Sequence, residues 1–230
     1  MKVLDLFCGA GGAAQGYVEA GFDVLGIDIE MQPNYPYDFM AADVFLALEY
    51  LDLEQFDLVH ASPPCQGYSV HVTAEDSKWS KNRGKNEPRL IGPIRELIKS
   101  RPYVIENVLG AEDDMQDPIM LCGSMFDLKM PRHRLFETNF PVQQPHHPNC
   151  LSLIKKSSAE LGWDRHVFTI AGKGGPGYTE KWKTLLGLDH GATQREMAEA
   201  IPPAFTYYIA TEFMPRAFST FTMSTSNKEI

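Results

Sequence analysis

The first half of the chain alternates short apolar runs with stretches of helical periodicity, and this alternation restricts the fold more than any other feature. The apolar runs read VLDLF, VLGID, FDLVHA and YVIENV, and the stretches between them include AAQGYVEAG and IRELIKS. Strands that alternate with helices predict a parallel sheet covered by helices. We therefore expect an α/β fold with a Rossmann-like doubly wound sheet, in which Gly21 ends the first helix and Asp28 closes the second strand.

A segment rich in Pro, Gly and His interrupts this pattern between residues 141 and 192, where PVQQPHHPNC and AGKGGPGY show little periodicity. Such a segment indicates a small inserted region and not another strand-helix repeat. Helical patterning returns from residue 193. We predict a main domain built from residues 1–140 and 193–215, the inserted region 141–192, and a polar, frayed tail from 216 to 230.

Composition excludes several classes of protein. No stretch approaches the roughly 20 apolar residues of a membrane helix, and the N-terminus shows no signal sequence, so we expect a soluble cytoplasmic monomer in a bacterial or phage-infected cell. The four cysteines stand singly, which argues against a disulfide framework. The net charge of −9 implies that any contact with nucleic acid is local, because phosphate contacts need Lys and Arg.

The segment DLFCGAGG places Gly9, Gly11 and Gly12 between the first predicted strand and helix, and Asp28 follows one strand later. Glycines let the backbone approach a ligand closely, and a strand-end carboxylate suits the hydroxyls of a ribose. The spacing GxGG differs from the dinucleotide pattern GxGxxG, which favours a single adenosine moiety. A tight turn with no ligand is the alternative interpretation.

Three further segments carry reactive side chains. SPPCQGYS places Cys65 and YVIENV places Glu106 at the ends of predicted strands, where open α/β sheets build their sites. In PRHRLF, Arg132 and Arg134 alternate, so both point to one face of an extended segment and could bind a phosphate or a base carbonyl. A small buried cysteine, an ordinary strand-end acid and two solvated arginines are the alternatives.

Taken in order, DLFCGAGG, SPPCQGYS, ENV, RHR and AIPP resemble the ordered motifs of the DNA cytosine-5 methyltransferases, over residues 1–140 and 193–212. The resemblance implies a methyltransferase fold that uses S-adenosylmethionine, with 141–192 as a small target-recognition region. It implies catalytic roles for Cys65, Glu106, Arg132 and Arg134. It also implies cofactor contacts from Phe7, Gly9, Gly11, Gly12, Asp28, Ile29, Asp43, Pro64, Ala200 and Ile201.

The chemistry that the resemblance implies is addition of the Cys65 thiolate to carbon 6 of cytosine, with Glu106 offsetting the charge that develops. A stacked base is out of reach, so the target cytosine should be flipped out of the DNA. The segment after Cys65 is basic, and we expect it to form a loop that contacts DNA, although a solvated loop is an equal alternative. The expected DNA contacts are Gln66, Ser69, Lys78, Lys81, Arg83 and Lys85.

The chain departs from the family pattern in two places. Its recognition region is short, and Glu199 replaces an asparagine that the last motif usually carries. A methyltransferase for RNA cytosine or a free pyrimidine nucleotide, or a catalytically silent homologue, therefore stays open. His146, His147 and Cys150 cluster in PHHPNC, but we expect no metal because no fourth ligand follows at a suitable spacing.

Overall fold

The computed structural model describes residues 1–68, 87–163, 165–168, 170 and 178–225, with the backbone alone for 165–166 and 215–225. Its centre is a seven-stranded sheet in the order β3-β2-β1-β4-β5-β7-β6. The strands are β1 (Lys2–Leu6), β2 (Asp23–Asp28), β3 (Asp38–Ala41), β4 (Leu58–Ala61), β5 (Tyr103–Asn107), β6 (Ile119–Cys122) and β7 (His133–Thr138). The helices are α1 (Gly12–Glu19), α2 (Val44–Tyr50), α3 (Ile91–Ile98), α4 (Cys150–Leu161), α5 (Tyr178–Leu186), α6 (Gln194–Glu199) and α7 (Pro203–Thr225).

The sheet is parallel from β3 to β5, and β7 then inserts antiparallel between β5 and β6. All four residues of β4 and all five of β5 are buried, as expected for central strands with helices on both faces. The α/β fold expected from the sequence is confirmed. Because β1, β4 and β5 are parallel neighbours in the strand order, their carboxyl ends lie next to one another at one edge of the sheet.

Two apolar cores lie on the two faces of the sheet. The first includes Tyr17 of α1 and Phe205 of α7, and the second includes Ile94 of α3 and Val44 of α2. A third, smaller core surrounds Trp182 and combines Val167, Phe168 and Leu186 of the inserted region with Met197 of α6. Residues of the inserted region therefore pack against residues outside it.

Helices α1 and α7 approach so closely that two glycines are required between them. A Cβ atom on Gly16 would lie 2.1 Å from the Pro203 carbonyl oxygen, and one on Gly12 would lie 2.5 Å from that of Ile201. The Thr206 hydroxyl donates a hydrogen bond of 2.8 Å to the Ala13 carbonyl. This packing holds the segment at residues 200–203 against the loop between β1 and α1.

Three local predictions can be compared with the structure. Gly21 follows the end of α1 with a φ of 90°, so the predicted helix end is confirmed. The inserted region contains helices α4 and α5, which were not predicted from the sequence, although Tyr178, Trp182, Leu185 and Leu186 of α5 follow helical spacing. Helix α7 continues through Pro215 to Thr225, so residues 216–225, expected to fray, are helical. Among the helices described, none is long and apolar enough to cross a membrane.

A buried ion pair joins α3 to β7. The Arg95 guanidinium donates to both carboxylate oxygens of Glu137, with Nη2–Oε2 at 2.6 Å. Glu137 is fully buried and also accepts hydrogen bonds from the Tyr103 hydroxyl and the Gln116 amide. All these donors converge on one carboxylate, which fixes β7 beside β5.

We predict that Glu137→Gln lowers the free energy of unfolding by about 3 kcal/mol, because the Arg95 charge then stays buried without its partner. Urea denaturation followed by circular dichroism measures the change. Glu96→Gln is the matched control, since Glu96 pairs with Lys99 on the exposed face of the same helix and should leave the midpoint unchanged. Equal effects of the two variants would contradict the role assigned to Glu137.

Candidate active site

The loop between β1 and α1 turns sharply at the carboxyl edge of the sheet. Phe7, Gly9 and Gly11 have φ values of 58°, 50° and 89°, a region that glycine adopts without strain and other residues rarely adopt. At Gly11 an added Cβ would lie 3.0 Å from the Tyr35 ring. Gly11 therefore makes room for Tyr35, whereas an added Cβ at Gly9 would meet no atom of the described residues within 4 Å, so the backbone is open there.

Asp28, at the end of β2, fixes this glycine loop. Its Oδ2 accepts a hydrogen bond of 3.0 Å from the Gly9 amide, and its Oδ1 accepts one of 3.1 Å from the Glu30 amide. The carboxylate thus has a positioning role that the sequence did not indicate, and each oxygen keeps a lone pair for a further donor. The next residue, Ile29, leaves 69% of its surface exposed, which offers an apolar face beside the loop.

Asp43 lies at the start of α2 and has a structural role there. Its Oδ1 accepts hydrogen bonds from the amides of Phe45 and Leu46 and so caps the helix. The structure therefore accounts for this residue without a ligand, and only Oδ2 is left for one.

The segment before α6 provides a second support for the glycine loop. A hydrogen bond of 2.7 Å joins the His190 Nε2 to the Ala10 carbonyl, and the Gln15 side chain bonds to the Gly187 carbonyl and the Asp189 amide. Sequence reasoning missed these residues because they lie more than 170 positions from the loop. The sequence offered one weak signal for their role, which is that LDHG, residues 188–191, lies shortly before the last motif AIPP.

Cys65 lies in the loop that follows β4. The Asn107 side chain at the end of β5 donates a hydrogen bond of 2.9 Å to the Pro63 carbonyl, which ties this loop to the next strand. Pro64 and Gln66 are exposed on either side of Cys65. Burial raises the pKa of the Cys65 thiol, Glu106 raises it further, and the positive charge of Arg134 lowers it.

Glu106 is buried at the end of β5, with 6% of its surface exposed. Its Oε1 lies 2.9 Å from the Nε of Arg134 in β7. Burial raises the pKa of Glu106, and the charges of Arg134 and Arg132 offset part of that rise. The carboxyl group therefore exchanges a proton more readily near neutral pH than an exposed glutamate does, as an acid that assists a reaction must.

A chain of buried polar groups leads from Glu106 into the core. The Ser62 hydroxyl bonds to Glu106, the His60 Nε2 lies 2.9 Å from the Ser62 Oγ, and the Tyr17 hydroxyl lies 2.9 Å from the His60 Nδ1. Burial lowers the pKa of His60 to about 3, so the ring is neutral. With Tyr17 donating to His60 and His60 donating to Ser62, the Ser62 hydroxyl is oriented to donate to the carboxylate.

Arg132 is buried and points toward the inserted region. It donates to the carbonyl oxygens of Ile170, at 3.3 Å, and Ala198, at 2.7 Å. Burial and then the charge of Arg134 lower its pKa, while Glu106 and Cys65 raise it. Both arginines therefore act on the charge balance at Glu106, but Arg132 also links the last motif and the inserted region to the site.

The predicted residues thus form two groups at one edge of the sheet. One contains Cys65, Glu106, Arg132 and Arg134, and the other contains the glycine loop with Asp28, Ala200 and Ile201. Sequence reasoning missed Ser62 and the supporting role of Asn107, although both lie within the motifs SPPC and ENV. The expected DNA contacts Ser69, Lys78, Lys81, Arg83 and Lys85 lie outside the described residues.

Comparison with known proteins agrees with this geometry. Residues 1–114 match the family of C-5 cytosine-specific DNA methylases. The Type II methyltransferase M.AgeI of Thalassovita gelatinovora is 30% identical over an alignment of 125 residues, and the match covers 48% of this chain and 28% of that protein. M.DdeI of Desulfomicrobium norvegicum is 28% identical over an alignment of 126 residues, and that match also covers 48% of this chain and 28% of the relative. The chain thus spans less than a third of the length of either relative.

A solved structure of the methyltransferase EhMeth of Entamoeba histolytica covers 94% of this chain and 98% of its own, with a TM-score of 0.56 at 13% identity. At that identity the likeness shows the fold alone, and it confirms the methyltransferase fold that was expected.

We predict that the rate of Cys65 alkylation by iodoacetamide rises with pH and reaches its midpoint above the value of about 8.5 for a free cysteine, because burial raises the pKa of the thiol. Glu106→Gln should move the midpoint down, since it removes a negative charge, and Arg134→Gln should move it up. Mass spectrometry of the Cys65 peptide across a pH series measures all three. Identical alkylation midpoints in the wild type and both variants would show that Glu106 and Arg134 do not affect the pKa of the Cys65 thiol.

Proposed function

We propose that this chain is a DNA (cytosine-5-)-methyltransferase that uses S-adenosylmethionine and Cys65 as its nucleophile. The observation that carries the proposal is the position of Cys65 beside the buried Glu106–Arg134 pair, at the sheet edge that also holds the glycine loop. The match of residues 1–114 to the family of C-5 cytosine-specific DNA methylases supports it. The activity is a proposal for the whole chain because the matched curated relatives are much longer.

The residues at the glycine loop fit S-adenosylmethionine. Open backbone at Gly9, free lone pairs on Asp28 and the exposed apolar face of Ile29 suit an adenosine with its ribose. S-adenosylmethionine supplies an electrophilic methyl group. The residues proposed to hold it are Phe7, Gly9, Gly11, Gly12, Asp28, Ile29, Asp43, Pro64, Ala200 and Ile201.

The protein's own part in the reaction begins at Cys65. Its thiolate adds to carbon 6 of cytosine and forms a sulfur–carbon bond, which makes carbon 5 nucleophilic. Glu106 shares a proton with ring nitrogen 3 and so offsets the charge that develops, while Arg134 keeps the carboxyl group in place. After carbon 5 is methylated and loses its proton, the sulfur–carbon bond breaks and Cys65 leaves as a thiolate.

A flipped cytosine must lie between the loop of Cys65 and the end of β5, since Cys65 cannot reach a stacked base. Gln66 is exposed next to Cys65 and is placed to contact the DNA around the flipped base. Further DNA contacts are proposed from the basic segment 69–85, through Ser69, Lys78, Lys81, Arg83 and Lys85.

We predict that the protein transfers label from S-adenosylmethionine to duplex DNA as 5-methylcytosine and that Cys65→Ser transfers none, because serine is a far weaker nucleophile. Glu106→Gln should slow transfer by about 10² to 10⁴-fold. Digestion to nucleosides and chromatography identify the labelled product. Glu112→Gln, an exposed acid in the turn after β5, is the matched control and should keep full activity.

The same assay with RNA and with free cytidine nucleotides tests the substrate class. Label in either one, with none in DNA, would replace DNA as the substrate while keeping the role of Cys65. If calorimetry shows cofactor binding but no substrate is labelled, the proposed reaction is wrong and the chain is a silent homologue.

We predict that reversing the charges at Lys81 and Arg83 weakens DNA binding and flattens the plot of log affinity against log salt by about 0.9 for each phosphate that is no longer neutralised. Fluorescence anisotropy over a salt series measures both quantities. Lys99→Glu is the control, because Lys99 lies on the exposed face just beyond α3, before β5 begins and so at the opposite edge of the sheet. A slope that stays the same in the double variant would exclude these residues from the DNA interface.

A further inference from the structure

Four side chains of the metal-binding types meet outside the proposed active site. They are Cys122, His133, His147 and Cys150, and their ligand atoms all lie within 4.8 Å of one another. Two cysteines and two histidines are a ligand set typical of structural zinc. We call this group the Cys2His2 cluster.

The fold, and not the sequence spacing, brings these four residues together. Cys122 ends β6 and His133 begins β7, and the two are direct partners in the antiparallel register. The other two come from the PHHPNC segment, in which the Asn149 side chain accepts hydrogen bonds from the amides of Leu151 and Ser152 and so starts α4 at Cys150. The sequence therefore shows only half of the cluster, which is why it gives no reason to expect a metal.

Four of the six separations between ligand atoms can be compared with the edges of a zinc tetrahedron, and the other two, from the Cys122 Sγ to His133 and His147, lie within 4.8 Å. Bonds of about 2.3 Å to sulfur and 2.0 Å to nitrogen require about 3.3 Å between nitrogens, 3.5 Å between nitrogen and sulfur, and 3.8 Å between sulfurs. The His133 and His147 Nε2 atoms are 3.3 Å apart, and the His133 Nε2 and the Cys150 Sγ are 3.6 Å apart. The two sulfurs are 3.3 Å apart, and His147 Nε2 lies 2.9 Å from the Cys150 Sγ. The last two distances are shorter by about half an ångström, a gap that small side-chain rotations close.

The surroundings of the cluster favour thiolates and allow a metal to enter. The Ser124 hydroxyl donates a hydrogen bond of 3.2 Å to the Cys122 Sγ and lies 3.4 Å from the Cys150 Sγ. Cys150 is also the first residue of a twelve-residue helix, whose N-terminus stabilises negative charge. Cys122 is fully buried, whereas His147 and Cys150 line an open cavity of about 740 Å³ that gives access from solvent.

We propose that the Cys2His2 cluster binds one Zn²⁺ ion in a closed, four-coordinate structural site. Two thiols lose their protons on binding, and the two thiolates balance the charge of the ion. The site joins the β6–β7 pair to the first helix of the inserted region. It thereby holds the inserted region against β7, the strand in which Arg134 directly follows His133. The proposal does not depend on the proposed methylation.

The test uses the full chain without a histidine tag, purified under reducing conditions with no added metal. We expect elemental analysis to find about one zinc per chain, and Cys150→Ser and His147→Ala to lose it. His146→Ala is the matched control, because His146 is the neighbour of His147 in the chain but lies outside the cluster. This variant should keep its zinc. Ser124→Ala should weaken zinc binding by about 10-fold, as expected for a residue that supports a ligand.

Cobalt replacement keeps the proposal falsifiable if a variant fails to fold. The wild-type protein, depleted of zinc and titrated with Co²⁺, should show the intense visible bands of tetrahedral cobalt together with a thiolate charge-transfer band. Weak bands of octahedral cobalt, or equal zinc in His147→Ala and wild type, would overturn the site. So would a protein that binds neither metal and whose Cys122 and Cys150 peptides are found joined by a disulfide.

Discussion

The buried pair of Glu106 and Arg134 is the interaction on which the arrangement of this site depends. A carboxyl group at the end of a central strand is expensive to bury alone, and it is tolerated here because β7 places a guanidinium 2.9 Å away. That placement requires β7 to lie antiparallel between β5 and β6. The strand order at this end of the sheet and the chemistry at Cys65 therefore have a common physical cause.

The strands alone do not complete the site, because its remaining parts come from the far end of the chain. Gly12 and Gly16 let α7 approach α1 closely enough for Ala200 and Ile201 to reach the glycine loop. His190 then bonds to the same loop from the segment before α6. These interactions make the loop geometry depend on residues that are remote in sequence.

Polar contacts connect the inserted region to the main domain at several points, including the bonds of Gln15 to Gly187 and Asp189 and of His190 to Ala10. Arg132 reaches the carbonyl groups of Ile170 and Ala198, and the Cys2His2 cluster joins β6 and β7 to the start of α4. The core around Trp182 is small, and it is shared with Met130 and Met197 of the main domain, since about 50 residues can bury little apolar surface by themselves. Additional links of this kind are how small units compensate for limited apolar burial.

Local patterns in the sequence were enough to predict β1, β2, β4 and β5 with helices α1 and α3, the glycine loop, and Cys65, Glu106 and Arg134 as candidate site residues. Periodicity, turn residues and strand ends act over a few neighbouring positions, so they can be read without the fold. The folded chain was needed to show that Asp28 supports the loop, that Asn107 and Ser62 support the site, and that Cys122 and His133 complete a ligand set with His147 and Cys150. Those roles depend on strand register and helix packing, which join residues that the linear sequence keeps far apart.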